Sequence, residues 1–143
     1  MFNFFIPKNK RMINKWHNEH IKIIDLIYNI VEEYENNNQK TAKKHIKQLN
    51  NLTVEHIMDE DIEFFRILKK SKNTDKETEE MIRDFVTSFK KTKLLLIKFL
   101  SHYSKPEVVL DSSFFKQFSE ITKAVRERIQ FEEKNVYSKL KEK

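Results

Sequence analysis

The feature that most limits how this chain can fold is its lack of glycine. The 143 residues contain no glycine and only two prolines, Pro7 and Pro106. Tight β-turns depend on these two residue types, because glycine adopts positive φ angles without steric cost and proline fixes φ in advance. Abundant Lys, Glu, Ile and Leu with so few helix breakers therefore indicate an all-α fold made of long helices.

The same composition argues against several kinds of site and location. Phosphate-binding loops need glycine where the backbone approaches the phosphate, so a nucleotide-binding enzyme is disfavoured. The absence of cysteine excludes disulfides, thiolate zinc sites and cysteine nucleophiles. No apolar run approaches the roughly 20 residues of a membrane span, and the N-terminal charges follow a short apolar stretch, the reverse of a secretory signal. We predict no membrane partner and a cytoplasmic location.

The net charge and one exposed apolar run of the chain indicate which partners it could bind. The net charge of +6 raises the question of a nucleic-acid partner. The lysines are interspersed with glutamates and fall mostly on the polar faces of predicted helices, so we interpret them as a solvated surface and predict no nucleic-acid partner. The apolar run LLLI at 94–97 exposes at least one apolar face, which is a weak indication of a homodimer or another partner surface.

Four amphipathic segments follow one another along the chain. In each, apolar residues are spaced alternately by three and four positions, which makes one stripe along a helix. The predicted helices run from about 12 to 34, 39 to 70, 76 to 103 and 112 to 140. The predicted loops lie at 36–38, 71–75 and 104–110. Long helices joined by short loops predict a single domain, residues 1–143, folded as an antiparallel up-down-up-down four-helix bundle.

The chain also repeats itself weakly. EHIMDEDIEFFRIL at 55–68 aligns with ERIQFEEKNVYSKL at 127–140 at an offset of 72 residues. In this alignment Glu60 matches Glu132 and Phe65 matches the similar Tyr137. Helix 4 is therefore interpreted as a copy of helix 2, and the domain as a doubled helical hairpin.

Ionisable residues interrupt the apolar stripes at five positions. These are His20, His56, Glu60, Arg128 and Glu132. Burying such groups is costly unless they are paired or bind a metal. His56 and Glu60 are four residues apart and share one helix face, and an imidazole nitrogen beside a carboxylate oxygen suits iron, manganese or zinc.

The depth of these side chains in the bundle follows from counting residues outward from the loops, at about 1.5 Å per residue. His20 lies 17 residues before Asn37 and His56 lies 19 residues after it, so both are expected at nearly the same height. Glu60 and Arg128 are expected in the same layer, with Glu132 about one turn away. The pattern predicts that His20, His56 and Glu60 converge on a metal site.

Three segments resemble the signature of hemerythrin-like HHE cation-binding domains, over nearly the whole chain. They are HNEHIKIIDLI at 17–27, EHIMDEDIEFF at 55–65 and RIQFEEKNVYSKL at 128–140. The resemblance implies a four-helix bundle with a non-haem diiron centre that handles dioxygen, nitric oxide or redox stress. His20 matches the family's first His, His56 and Glu60 match its first H-x-x-x-E pair, and Glu132 matches its second Glu.

Two positions depart from the family pattern. Arg128 stands where the second H-x-x-x-E pair has its His, and Met81 stands where helix 3 usually has its His. The histidines of a second ion are therefore missing, and the expected cofactor is non-haem iron, as one or two ions. Because a guanidinium stays protonated and cannot ligate a metal, Arg128 is expected to contact Glu60, Glu132 or both.

Other interpretations stay open for these residues. His20 and His56 can also be core histidines satisfied by hydrogen bonds, and His17 can be an extra metal ligand or a surface group. Arg128, Glu60 and Glu132 can form a buried ion-pair network that needs no function. His45 and His102 lie far from the predicted layer and are expected at the surface.

Two functions correspond to these alternatives. The first is an iron-binding protein that binds O2 or NO and acts in sensing, storage or stress response. It is not expected to be an enzyme, because no nucleophile–base pair and no substrate cleft is evident from the sequence. The second is a metal-free four-helix bundle that acts as a regulatory protein-interaction module, an idea that rests on fold analogy alone.

Overall fold

The structure, a computed structural model, describes residues 8–69 and 75–141, and these residues form four long helices. Helix α1 spans Lys8–Glu35, α2 spans Gln39–Lys69, α3 spans Lys76–Tyr103 and α4 spans Ser112–Phe131. A π-helical segment, Glu132–Val136, continues α4 into a final short helix, α5, at Tyr137–Lys141. The predicted all-α class is confirmed.

Packing between the helices follows the order of the chain. Helix α1 packs on α2, α2 on α3 and α3 on α4, while α4 and α5 close the bundle against α1. Since consecutive long helices are joined by short connections, each runs antiparallel to the one before it. The predicted antiparallel four-helix bundle is therefore confirmed.

Local chemistry places the helix ends close to their predicted positions. Between α1 and α2, Asn37 has a φ of 57°, a left-handed conformation that asparagine tolerates better than most residues. The Asp75 side chain accepts a hydrogen bond from the Thr78 amide at the start of α3, and Asp111 accepts one from the Phe114 amide at the start of α4. These are N-caps of the usual kind. Apart from Asp75, the predicted loop at 71–75 lies outside the described residues.

The core consists of two apolar clusters stacked along the bundle. The first contains Ile27, Ile46, Leu100 and Phe114 among other residues, at the end where α1 meets α2. The second contains the residues Ile13, Trp16, Phe64, Ile82, Phe85, Val136, Tyr137 and Leu140. Between the two clusters lies a set of ionisable side chains that we call the polar layer: His20, His56, Glu60, Arg128 and Glu132.

The π-helical segment changes which residues face the core after Glu132. The sequence repeat pairs Phe65 with Tyr137, yet Phe65 is 61% exposed and Tyr137 is only 1% exposed. A π-turn accommodates an extra residue, and one residue corresponds to a rotation of about 100° in an α-helix. As a result both Val136 and Tyr137 are buried, and the two halves of the repeat differ beyond this point.

Some apolar residues remain on the surface. Leu94 and Leu95 are exposed, whereas Leu96 in the same run is buried, so the LLLI run does present an apolar face. The homodimer inferred from that run stays a prediction. Among the described residues, no helix combines the length and the apolar character needed to cross a membrane.

Candidate metal centre

Four side chains of the polar layer converge from three elements of the fold. Helix α1 supplies His20, α2 supplies His56 and Glu60, and the π-helical segment supplies Glu132. Each is at most 3% exposed, and one potential ligand atom from each lies within 4.8 Å of the others. The structure thus brings these predicted ligands together, while metal binding by them stays a prediction.

The ring nitrogens of the two histidines face each other across the layer. His20 Nε2 lies 3.0 Å from His56 Nε2. His20 Nε2 also lies 3.2 Å from Glu132 Oε1, and His56 Nε2 lies 3.0 Å from Glu60 Oε1. Two imidazole nitrogens and two carboxylate oxygens therefore surround one small volume.

Two further carboxylates hold the outer nitrogen of each histidine. His20 Nδ1 lies 2.9 Å from Glu133 Oε1, and His56 Nδ1 lies 2.8 Å from Glu19 Oε1. Since an ionised carboxylate only accepts hydrogen bonds, each Nδ1 carries a proton and donates it. In a neutral imidazole, Nε2 then carries a lone pair that is directed into the layer. Histidines that ligate metals have this arrangement.

Sequence reasoning did not identify Glu19 or Glu133. The available signal was their position, since Glu19 directly precedes His20 and Glu133 directly follows Glu132. Neighbouring positions on a helix point in different directions, so adjacency alone does not predict that Glu19 reaches across to His56 on α2.

The geometry of the layer fits a metal ion. His20 Nε2 and His56 Nε2 lie 3.0 Å apart, close enough for a single ion to bind both at the usual distance of about 2.1 Å. Glu132 Oε2 is buried and has no hydrogen-bond partner among the described residues, and Arg128 Nη2 lies 3.5 Å from it. Two imidazoles and two carboxylates form a donor set suited to iron, manganese or zinc.

The two buried carboxyl groups differ in protonation. Burial would raise the pKa of Glu60, but its interactions with Glu132, His56 and Arg128 outweigh burial and hold that pKa well below its usual range. Burial raises the pKa of Glu132 well above its usual range, and the charge of Glu60 raises it further. In the metal-free protein, Glu60 is therefore the carboxyl group that ionises more readily, and Glu132 is the one that holds a proton more readily.

The two histidines differ in the same way. Burial lowers the pKa of His20, and the hydrogen bond to Glu133 offsets only part of this effect. Burial also acts to lower the pKa of His56, but Glu60 and Glu19 outweigh it and that pKa is raised. Without a metal, His56 and Glu132 are thus the groups of the layer that hold a proton most readily, and a bound cation would compete with those protons.

Tyr137 is a member of the site that the sequence did not reveal. Its hydroxyl donates a 2.6 Å hydrogen bond to Glu60 Oε2 and lies 3.3 Å from His20 Nε2. Its ring stacks on the His20 ring, with centroids 5.6 Å apart. Burial and the charges of Glu60 and Glu132 raise the pKa of Tyr137, so the phenol stays protonated as a donor. The sequence repeat aligns Tyr137 with Phe65, which is exposed, and this alignment therefore gave no indication that Tyr137 is buried.

We expect Tyr137→Phe to destabilise the metal-free protein by about 1.5–3 kcal/mol, because an ionised buried carboxylate loses a hydrogen-bond donor. Urea unfolding of metal-free protein measures the change. Tyr28→Phe is the matched control, since Tyr28 is exposed on α1, and it should leave the free energy of unfolding unchanged. Equal effects of the two substitutions would show that the hydrogen bond to Glu60 contributes nothing.

The remaining histidines lie outside the layer. His17 is 55% exposed, and its Nδ1 lies 2.9 Å from Glu133 Oε1, the same oxygen that bonds His20. It therefore sits at the rim, one turn from His20, and is not one of the four converging side chains. His45 is bonded to Gln48 at the far end of α2, and His102 is exposed near the end of α3.

Arg128 makes the contacts expected of it. Its Nη2 donates to Glu60 Oε1 over 3.2 Å and lies 3.5 Å from Glu132 Oε2. The α3 residue at this level is Phe89, whose ring centroid is 3.7 Å from the guanidinium carbon. Met81, predicted to replace a helix-3 ligand, is only half-buried and lies about two turns away from Phe89 along α3. The sequence therefore placed the missing ligand at the wrong level.

Comparison with known proteins identifies one family. The family model of the hemerythrin HHE cation-binding domain matches residues 11–140, a segment that contains every residue of the polar layer. Among curated proteins and among solved structures, no significant match is found.

Proposed function

We propose that the metal of this protein is iron. The chain belongs to the hemerythrin HHE cation-binding domain family, and this membership makes it a non-haem metal-binding protein. The ligands in this proposal are His20, His56, Glu60 and Glu132. The observation that carries it is the pair of facing Nε2 atoms, each imidazole being held by a carboxylate on Nδ1. Such second carboxylates orient a histidine for a metal and make it more basic.

The proposed ligand of the iron is a small uncharged molecule, O2 or NO. Ferrous iron supplies the affinity for such molecules. Beside the two imidazoles lies a cavity of about 20 Å³, which has room for about one water-sized molecule. Its wall is mainly hydrocarbon, with Ile23, Ile57, Leu96, Val125 and Ile129 among the lining residues. His20, His56, Arg128 and Glu132 also line it, so a molecule held there lies beside the metal ligands, and the small volume suits a diatomic molecule and excludes a much larger one.

In this proposal the protein is a sensor, store or stress-response protein rather than an enzyme, and it acts in the cytoplasm. Binding and release need only the metal layer and the small cavity described above. The proposal therefore predicts a reversible spectral change with ligand gas and no turnover of the gas.

Protein purified from iron-supplemented cells tests the function directly. Metal analysis should find iron, and anaerobic addition of NO to the ferrous protein should change its visible and electron paramagnetic resonance spectra. A protein that retains no iron, and that also fails to bind added Fe²⁺, would overturn the proposal. Iron binding without any response to O2 or NO would overturn only the assigned ligand.

Glu133→Gln is expected to weaken Fe²⁺ binding by about 10- to 100-fold, the usual effect of removing a carboxylate that orients a ligating histidine. A glutamine amide at position 133 is neutral, so the hydrogen bond that it accepts from His20 Nδ1 is weaker than the bond to the Glu133 carboxylate. Anaerobic competition with a chelator measures the Fe²⁺ dissociation constant. Glu120→Gln, an exposed change of the same chemistry on α4, is the control. An unchanged dissociation constant for Glu133→Gln would mean that His20 does not ligate the ion.

A metal-free regulatory module is the second candidate function. It is favoured by the contacts of Arg128 with Glu60 and Glu132, which place a protein cation against both carboxylates, and by the exposed Leu94 and Leu95 as a partner surface. Iron analysis separates the two functions, because a regulatory bundle of this kind should fold fully in the presence of chelator and bind no Fe²⁺.

A further inference from the structure

The internal repeat extends to all four helices once burial is considered. The buried stripe of α1 matches that of α3 at an offset of 69 residues, so that Trp16 corresponds to Phe85 and His20 to Phe89. On the other two helices, at an offset of 72, His56 corresponds to Arg128 and Glu60 to Glu132. We call His20, His56 and Glu60 the first half-site, and we call Phe89, Arg128 and Glu132 the second half-site.

Both half-sites contribute to the wall of one cavity. The cavity beside the imidazoles is lined by His20 and His56 of the first half-site and by Phe89, Arg128 and Glu132 of the second. The second half-site has the position and depth of a metal half-site, but phenylalanine and arginine stand where the first half-site has its two histidines.

Arg128 is tightly held in this second half-site. Its side chain is 8% exposed. The guanidinium carbon lies 3.7 Å from the Phe89 ring centroid and 4.7 Å from that of Phe85. Such cation–π contacts are stronger when the cation is desolvated. Together with Glu60 and Glu132, the two rings surround the guanidinium and hold it in this space.

The charge of Arg128 changes what the layer can bind. Glu60 and Glu132 supply at most two negative charges, and Arg128 already supplies one positive charge against them. Glu19 and Glu133, on the outer nitrogens of the two histidines, add two further negative charges. With all four carboxylates and Arg128 counted, one divalent ion leaves one negative charge, whereas two divalent ions leave an excess of one positive charge, which is the charge of Arg128. In a buried site with little water, this repulsion is only weakly screened.

We propose that Arg128, held by Phe89, takes the place of a second metal ion and limits this centre to one divalent transition-metal ion. The proposal rests on the proposed function, since it concerns the same layer. It assigns Arg128 as the residue that determines how many ions bind, and Phe89 as the residue that positions it.

The number of Fe²⁺ ions bound per chain, measured by anaerobic equilibrium dialysis and metal analysis, tests this inference. Wild type should bind one ion. The double variant Phe89→His with Arg128→His duplicates the first half-site and should bind two. Circular dichroism establishes that the double variant is folded. Two tightly bound ions in wild type, or a folded double variant that still binds one, would overturn the inference and leave the proposed function intact.

A second variant removes only the charge and does not depend on building a new half-site. Arg128→Gln should bind the single ion at least about tenfold more tightly, because a positive charge next to the ion is lost. Arg126→Gln is the control, since this arginine lies two residues away on α4 and contacts Tyr28 instead of the layer. An Arg128→Gln affinity equal to wild type would overturn the inference. Wild type that binds no Fe²⁺ would overturn both the inference and the proposed function.

Discussion

Replacing His56 with leucine is expected to remove the stabilisation that iron gives this protein. A ligand at about 1,000 times its dissociation constant stabilises the folded state by about 4 kcal/mol, provided that it does not bind the unfolded chain. For a domain of this size the gain corresponds to roughly 10–15 °C in Tm. Leucine has no donor atom for the ion, so thermal unfolding of His56→Leu should give the same Tm with Fe²⁺ and with chelator.

The matched control for this experiment is His45→Leu. His45 lies on the same helix as His56, is half-buried and is bonded to Gln48, far from the polar layer. Its replacement should leave the iron-dependent rise in Tm at the wild-type value. If His56→Leu kept the full rise, iron would be binding elsewhere, and the assignment of the polar layer as the metal centre would be wrong.

The largest loss of intrinsic stability is expected from Trp16→Ala. Trp16 is 1% exposed, and its ring lies 5.9 Å from Phe64 and 5.6 Å from Tyr137 between ring centroids. Removing a buried tryptophan costs about 3–5 kcal/mol, since the surrounding side chains fill the cavity only in part. Urea unfolding of the metal-free protein measures this loss without any contribution from iron.

An exposed aromatic residue provides the comparison for Trp16. Phe65 on α2 is largely in solvent, so Phe65→Ala should change the free energy of unfolding by no more than about 0.5 kcal/mol. A loss below about 1 kcal/mol for Trp16→Ala would contradict the close packing of the second core cluster.

Several features of the site could be predicted because they depend only on regular helices. A helix advances by a constant amount per residue, so residue counts from the loops were enough to place His20, His56, Glu60 and Arg128 at one level. The stripe pattern identified them as inward-facing for the same reason. The lack of glycine made long helices, and hence a bundle, the simplest fold.

The sequence by itself determined the helices, the bundle and the level at which the ionisable residues meet, because each of these depends on periodicity along one helix. Only the tertiary structure decided which partners surround them. The π-helical segment rotates Tyr137 into the layer, which a constant α-helical period cannot predict. The bonds of Glu19 to His56 and of Glu133 to His20 join different helices, as does the contact of Phe89 with Arg128. Such contacts depend on how neighbouring helices are rotated about their own axes, and that rotation is set by packing of the whole core rather than by any one segment.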